Sequence, residues 1–308
     1  MRDKIKALFI VGPTASGKTA LSIEIAKKFN GEIVCADSMQ IYKGIHIASA
    51  APDREEMQGI KHHLLEFLEL GDKFSVADYV LKARECIKDI SARGKIPIIV
   101  GGTGLYINAL LDNTEFIENE TDFKLRERLE EEFDEIGAEA MLEKLKGFDS
   151  DTASRLHPKD RRRIIRAFEV YYQSGKSITE QNLLSHKTPS FINPLVIGIT
   201  YSDREKLYER INKRVEIMLH SGLLEEARQT AKISSSKGAF QAIGHKELYG
   251  YIKGECSLEE AKEHLCRQTR RYAKRQLTWF RRDERINWLY PDKEDTVSKA
   301  EKLVEEFL

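Results

Sequence analysis

The sequence predicts an α/β protein in which a P-loop parallel sheet is flanked by helices and carries an inserted helical subdomain. Short apolar runs alternate with segments of helical spacing over the first third of the chain, and a glycine-rich loop follows the first run. A stretch rich in Glu, Lys and Arg then lacks any strand-like run. We therefore expect a first core segment at 1–112, a helical insertion at 113–190, and a segment at 191–308 that completes the core and ends in basic helices.

Composition narrows the class of protein. The chain has 308 residues, of which 41% are hydrophobic and 32% are charged, and no apolar run approaches the roughly 18 residues of a spanning helix. Its four cysteines form no close pair, which favours a reducing, cytoplasmic setting over a disulfide framework or zinc site. The net charge is zero, yet basic residues cluster at 161–166 and 267–285, a distribution compatible with a polyanionic partner.

The first apolar run, 7–11, predicts a buried strand. A phosphate-binding loop follows it and precedes a predicted helix at 20–29. The loop consists of Gly12, Pro13, Thr14, Ala15, Ser16, Gly17, Lys18 and Thr19. Its backbone N–H groups and the helix N-terminus would face an anion, Lys18 would add a positive charge, and the Thr19 hydroxyl could hold Mg²⁺. The motif predicts a polyphosphate or pyrophosphate ligand without saying which.

Two further strands bring candidate catalytic residues to the same edge of the sheet. A strand at 32–36 is followed by Asp37, and a helix at 74–92 leads to a strand at 96–100 that ends before Thr103. In parallel sheets, ligands bind beyond the carboxyl ends of the strands. Asp37 could be a general base, a Mg²⁺ partner or a turn residue. No acid follows the strand at 96–100, which disfavours an ordinary ATPase.

The later segments complete the prediction. A strand at 194–200 should rejoin the sheet, and the chain after Asp203 should be mostly helical; 180–186 and 234–238 read as loops. The adjacent His62 and His63 would point in different directions and should not share a metal. One helix face carries Arg267, Arg270, Arg271, Lys274 and Arg275, and an earlier helix carries Arg161, Arg162 and Arg163. Both basic faces could meet phosphates or could be solvated.

The chain resembles the tRNA dimethylallyltransferase family, whose members are also called tRNA isopentenyltransferases. The resemblance rests on motifs that occur in the family order and span nearly the whole chain: the loop at 12–19, Asp-Ser-Met-Gln-Ile-Tyr at 37–42, Gly-Gly-Thr-Gly-Leu-Tyr at 101–106, the segments 157–160 and 168–170, Ala-Ile-Gly-His-Lys-Glu at 242–247, and Thr-Arg-Arg-Tyr-Ala-Lys-Arg-Gln at 269–276. This chain departs from the family pattern at His245, where tyrosine is more frequent, and at Ile41, where valine is common.

The resemblance implies that the exocyclic amine of the adenosine just after the anticodon attacks the first carbon of dimethylallyl pyrophosphate, and that pyrophosphate leaves. It implies that the loop binds this donor, with Mg²⁺ as cofactor, that Asp37 is the general base, and that Thr103 contacts the same region. The anticodon stem-loop would contact Asp37, Ser38, Met39, Gln40, Thr103, Arg126, Arg161, Arg162, Arg163, Ile164, Ile165, Gln241, Ala242, Ile243, Gly244, His245 and Lys246, with Arg270, Arg271 and Lys274 added from the basic face. The target base must leave its stack.

Two alternative functions remain open if the motifs are interpreted without the family resemblance. A P-loop kinase of a nucleoside or small metabolite would bind ATP tightly and produce ADP. A non-catalytic, ATP-dependent RNA-binding module would bind RNA regardless of Asp37 and form no covalent product. We expect a monomer that does not bind membranes.

Overall fold

The computed structural model of the protein describes residues 4–114, 116, 122–187, 190–232 and 242–308. The chain divides into two compact units, one formed by Met1–Leu111 with Phe191–Leu308 and the other by Asp112–Ser190. Among the described residues, no helix is long and apolar enough to cross a membrane.

The first unit is built on a sheet of six parallel strands in the order β3-β2-β4-β1-β5-β6. The strands are β1 (Ile5–Val11), β2 (Gly31–Cys35), β3 (His62–His63), β4 (Ile96–Gly101), β5 (Ile192–Ile199) and β6 (Ile286–Leu289). The predicted parallel sheet is therefore confirmed, and the later strand does rejoin it, since β5 pairs with β1. The edge strands β3 and β6 were not predicted.

Fourteen helices lie within the described part of the chain. They are α1 (Lys18–Lys28), α2 (His46–Ser49), α3 (Arg54–Met57), α4 (Val76–Ala92), α5 (Gly104–Leu111), α6 (Phe123–Lys146), α7 (Ser150–Arg155), α8 (Arg161–Ser174), α9 (Ile178–Lys187), α10 (Arg204–His220), α11 (Leu223–Lys232), α12 (His245–Ile252), α13 (Leu258–Phe280) and α14 (Thr296–Phe307). Reciprocal capping boxes, Ser75 with Asp78 and Ser257 with Glu260, fix where α4 and α13 begin.

The sheet is apolar because both of its faces are covered. Leu8 and Ile10 of β1 pack with α1 residues such as Ile23 and with Val304 of α14 in one buried cluster. On α4, Val80 and Ile87 are buried, as its helical spacing predicts. Continuous burial of β1 from Ala7 to Val11 is typical of a central parallel strand.

The second unit contains α6 to α9 around its own core, which includes Leu129, Met141 and Phe168. The expected helical character of this region is confirmed. The prediction of a loop at 180–186 was wrong, because those residues belong to α9. Ser177 and Glu180 cap the start of that helix: the Ser177 N–H donates to Glu180 Oε2 at 2.7 Å, and the Glu180 N–H donates to Ser177 Oγ at 3.1 Å.

Candidate active site at the carboxyl edge of the sheet

A cavity of about 340 Å³ lies beyond the carboxyl ends of the central strands in the first unit. Its walls come from the phosphate loop, the turn after β2, the end of β4, and helices α10 and α13. Its lining includes the polar or charged side chains of Lys18, Thr19, Asp37 and Arg214 and the apolar side chains of Ile211, Val215, Met218, Ile243 and Leu265. One cavity thus offers both charged and apolar contacts to a single ligand.

The phosphate loop has the backbone geometry that its glycines predict. Gly12 and Gly17 have φ angles of 148° and 102°, in the region that favours glycine. A Cβ on Gly12 would lie 2.3 Å from the Ile199 carbonyl oxygen, so β5 also excludes any side chain there. The Ser16 hydroxyl is buried and has no hydrogen-bond partner among the described residues. A buried, unpaired hydroxyl inside the loop fits an anion that completes its hydrogen bonding.

Positive charge converges on this loop from two elements. Lys18 Nζ donates to the Pro13 carbonyl at 2.7 Å, and Arg214 Nη1 donates to Thr14 Oγ1 at 3.3 Å. Desolvation and the neighbouring Arg214 lower the pKa of Lys18 to about 8. Burial likewise lowers the pKa of Arg214. Two desolvated cations side by side are costly alone, and a pyrophosphate would offset that cost. Sequence reasoning missed Arg214, which carries no local motif.

Asp37 occupies a turn with one carboxylate oxygen and leaves the other available. Its Oδ1 accepts hydrogen bonds from the Met39 N–H at 2.9 Å and the Gln40 N–H at 3.4 Å. Its Oδ2 makes no hydrogen bond within the described residues. Thr103 Oγ1 accepts from the Ser38 N–H at 2.9 Å, which ties the turn after β4 to the turn that holds Asp37. A turn role and a base role are therefore compatible for this carboxylate.

Gln276 of α13 bridges the two halves of the polar region and was not predicted. Its Oε1 accepts from the Thr14 N–H at 2.9 Å, and its Nε2 donates to the Gly102 carbonyl at 3.0 Å. The residue is only 6% exposed. A Cβ on Gly102 would lie 2.1 Å from Nε2, so glycine is needed there to admit the amide. The bridge fixes the phosphate loop relative to the turn that carries Thr103.

His245, the departure from the family pattern, is buried in a network beside the cavity. Its Nε2 lies 2.8 Å from Glu226 Oε1, and its Nδ1 lies 3.2 Å from Thr230 Oγ1. The Glu226 carboxylate also accepts from the N–H groups of Ile47 and Ala48 at 2.8 and 2.9 Å. The imidazole thus helps to hold the α2 segment, from which Ala48 lines the cavity. With its side chain fully buried, His245 supports the wall rather than facing a ligand.

The predicted tRNA-contacting residues differ in their surroundings. Cavity-lining members are Asp37, Ser38, Met39, Gln40, Ile243, Gly244 and Lys246. Buried members are Ala242, His245, Ile164 and Ile165, with at most 1% exposed. We correct the expectation that the Ile164 and Ile165 side chains face RNA, because both lie in the core of the second unit. Gln241, like the predicted loop at 234–238, lies outside the described residues.

Salt bridges within the second unit involve three of the predicted arginines. Arg126 pairs with Glu130 at 3.0 Å and with Glu169 at 3.5 Å. Arg161 pairs with Asp134. Arg162 and Arg163 are exposed on α8, and Arg163 Nη1 lies 3.9 Å from Asp160 Oδ2. Arg162 is therefore the best placed of these four arginines to meet solvent or a polyanion.

The basic face of α13 lies on the predicted helix. Arg271 and Lys274 are exposed and form no ion pair within the described part of the chain. Arg270 is partly buried: its Nη1 donates to Asn212 Oδ1 at 2.8 Å. Its guanidinium carbon also lies 5.9 Å from the centroid of the Tyr208 ring. Arg271 and Lys274 therefore carry charge that no acid among the described residues pairs with, and Arg267 is likewise exposed.

Comparisons with known proteins agree with this geometry. The family model described as "IPP transferase" matches residues 40–283. A tRNA dimethylallyltransferase of Acetivibrio thermocellus is 48% identical over 303 residues, covering 98% of this chain and 96% of that protein. One from Bacillus subtilis is 46% identical over 286 residues, covering 92% and 90%.

Solved structures of similar proteins share the fold. A tRNA delta(2)-isopentenylpyrophosphate transferase of Staphylococcus epidermidis is 41% identical, with a TM-score of 0.72, and the match covers 98% of this chain and 99% of that one. A eukaryotic dimethylallyltransferase acting on tRNA is 31% identical, with a TM-score of 0.82, over 97% of this chain and 78% of that one. Family model, relatives and structures together show that this chain belongs to the IPP transferase family.

Proposed function

We propose that this protein transfers the dimethylallyl group of dimethylallyl pyrophosphate to the exocyclic amine of the adenosine that follows the anticodon in tRNA, and releases pyrophosphate. The observation that carries the proposal is the composite cavity, in which the phosphate loop with Lys18 and Arg214 shares one space with an apolar wall. A prenyl pyrophosphate has this same division into a polyanion and a short hydrocarbon.

The donor would lie with its pyrophosphate on the loop. The N–H groups of the loop, Lys18 and Arg214 would stabilise the negative charge that grows on the leaving group as its bond to carbon breaks. The prenyl chain would lie against side chains such as Ile211 and Leu265, which also keep water from the reacting carbon. The buried Ser16 hydroxyl would gain the partner it lacks in the free protein.

Asp37 would act on the acceptor, which is the exocyclic amine of adenine. The adenine amine is a weak nucleophile because its lone pair is delocalised into the ring. Its nitrogen would form a bond to the first carbon of the donor while the bond from that carbon to oxygen breaks and pyrophosphate takes the electron pair. The free Oδ2 of Asp37 would orient the amine and accept the proton it loses. Thr103, bonded to Ser38, would keep the turn of Asp37 in place.

Mg²⁺ fits the residues present. Thr19 lines the cavity, and its hydroxyl makes no hydrogen bond within the described residues. No group of three or more His, Cys, Asp or Glu residues that could hold a metal occurs in the described ranges. Mg²⁺ usually keeps several waters and binds substrate phosphates, and in P-loop proteins the Ser or Thr hydroxyl of the loop is one of its ligands. When bound, it would neutralise charge on the departing pyrophosphate.

The kinase alternative is not favoured. A hydrolysing P-loop protein usually has an aspartate at the end of an apolar strand to hold Mg²⁺. Here β4 ends in glycines that cannot carry a side chain, because a Cβ on Gly101 would lie 2.1 Å from the Ala36 carbonyl oxygen. The similarity to named tRNA dimethylallyltransferases extends over nearly the whole chain.

The direct test is to incubate the purified protein with labelled dimethylallyl pyrophosphate, Mg²⁺ and bulk tRNA, and then to digest the RNA to nucleosides. We expect the label in an N6-modified adenosine and one pyrophosphate released for each label transferred. ATP in place of the prenyl donor should give no ADP. Formation of ADP without labelled RNA would support the kinase instead, and RNA binding without any covalent product would support the binding module.

A further inference from the structure

Trp279 presents an exposed indole beside the turn that carries Thr103. The residue is 38% exposed, although large aromatic side chains are usually well buried. It lies on α13 one turn beyond Arg275 and Gln276, which line the cavity. The indole lies against Gly104 in the turn after β4, the same turn that Gln276 contacts at the Gly102 carbonyl.

The indole is held against the backbone at Gly104. A Cβ at this position would lie 2.3 Å from Cδ1 and 2.5 Å from Nε1 of Trp279. Gly104 is absent from the residues with positive φ, so its backbone conformation does not require glycine. Glycine is required here because the indole occupies the space that a side chain would fill. Because Gly104 follows Thr103, this contact fixes an exposed aromatic ring beside the candidate catalytic turn.

Basic residues precede and follow Trp279 along the chain. The side chains of Lys274, Arg275, Arg281 and Arg282, on and just after α13, are all exposed. Of the two acids that follow, Asp283 is bound to Arg285 at 2.7 Å and Glu284 is exposed. An exposed indole in a segment where basic residues outnumber acids suits a nucleotide, whose base can stack on the ring while its phosphates meet basic groups.

We propose that Trp279 is a stacking platform for a nucleobase that flanks the target adenosine of tRNA. This inference rests on the proposed function and extends it to a neighbouring nucleotide. When the target base leaves its stack to reach Asp37, its neighbours lose a stacking partner. The fixed indole beside Thr103 replaces that partner and lowers the cost of extrusion.

The first experiment measures binding of a synthetic anticodon stem-loop RNA. Trp279→Ala should weaken the Kd by roughly 5- to 100-fold, the usual effect of removing one base-stacking aromatic side chain. Trp279→Phe retains a π-face and should recover most of the affinity. The Kd for dimethylallyl pyrophosphate should be unchanged in both variants. Equal RNA affinity in all three proteins would overturn the proposal.

A thermodynamic cycle separates stacking from a structural role of the indole. Two RNAs are made in which the nucleotide on the 5′ or the 3′ side of the target adenosine lacks its base. For one of them, the unmodified protein should bind as weakly as Trp279→Ala binds intact RNA, and the two changes should not add. Additive losses with both RNAs would mean that the indole only supports the fold, and would refute the platform.

A second readout needs no substitution at Trp279. The chain has two tryptophans, and Trp288→Phe removes the other, so the emission of this variant reports Trp279 alone. Intact stem-loop RNA should quench that emission strongly, and the abasic RNA identified above should quench it much less. Equal quenching by both RNAs would contradict stacking. These readouts follow RNA binding rather than product, so failure of prenyl transfer and failure of the platform are distinguishable.

Discussion

Replacing Gln276 by methionine removes a buried bridge without much change in volume. The variant loses the bonds to the Thr14 N–H and the Gly102 carbonyl, which are 2.9 and 3.0 Å long. Leaving a buried polar group unpaired costs about 1–3 kcal/mol. Because water from the cavity can reach part of this region, we expect a total loss of stability near the lower end of the two-bond range, about 2–3 kcal/mol.

The larger effect should fall on catalysis. The bridge sets the distance between the donor loop and the Thr103 turn, and a misplacement of about 1 Å can cost on the order of 10²-fold in rate. We expect single-turnover prenyl transfer by Gln276→Met to fall by roughly 10- to 100-fold with both substrates saturating. The Kd for tRNA should change by less, because the basic face of α13 is retained.

Gln268 provides a matched control on the same helix. Its amide contacts only His264, at 3.0 Å, within the described residues. Gln268→Met should therefore retain the wild-type rate and the wild-type free energy of unfolding. Rates are compared well below the unfolding transition of each variant, so that lost stability does not count as lost activity. If Gln276→Met transfers the prenyl group as fast as Gln268→Met, the bridge does not position the reactants.

Three further predictions follow from particular charges. Because the pKa of Lys18 is lowered to about 8, the lysine loses its proton as pH rises through that value. Binding of pyrophosphate, measured as a Kd between about pH 6.5 and 9.5, should therefore weaken above about pH 8. Lys18→Met should bind weakly with a flatter profile, and a parallel pH dependence in the two proteins would contradict the assignment. Removing the unpaired charge of Arg271 or Lys274 should flatten the log–log salt dependence of tRNA binding by roughly 0.7–0.9 units each. Arg161→Gln should change this slope less, because Asp134 already balances the charge of Arg161. Unchanged slopes would mean that the basic face of α13 is only solvated. Glu32 is 2% exposed and binds Arg93, Lys95 and His63, which hold its pKa well below the usual range. Its stabilisation is therefore fully present above the unfolded pKa near 4.5 and is lost progressively as pH falls to the folded value. Glu32→Gln should cost roughly 1–3 kcal/mol in urea unfolding at pH 7 and less at pH 3, and equal costs at both would refute the ionic contribution.

The central strands and the phosphate loop could be predicted because local patterns specify them. Buried parallel strands such as β1 are continuous apolar runs, and the loop has fixed glycine positions next to a helix start. The edge strand β3 has only two residues, both histidines, so no apolar pattern marks it. Strand β6 is a four-residue run directly after a basic segment, where helical spacing dominated the prediction. Helix α9 was missed because its polar composition outweighed the capping signal of Ser177 and Glu180.

The candidate site could be predicted only where a motif carried it. Asp37 and Thr103 follow strands, so their common edge follows from the parallel order of the sheet. Gln276 and Arg214 reach the loop from helices far along the chain: Gln276 is 262 residues from Thr14, and Arg214 is 200 residues from it. Such contacts depend on how α10 and α13 pack, and no spacing within one element reports them. The burial of Ile164 and Ile165 likewise depends on the core of the second unit.

The most direct test of the account is single-turnover prenyl transfer by Asp37→Asn with both substrates saturating. Asparagine keeps the Oδ1 acceptor for the N–H groups of Met39 and Gln40, so the turn is preserved, but it cannot take a proton from the adenine amine. We predict a rate lower by roughly 10²–10⁴, the usual contribution of a positioned acid–base group, with the dissociation constants of donor and tRNA nearly unchanged. A rate within a few-fold of the unmodified protein would contradict the general-base role and leave Asp37 as a residue of the turn.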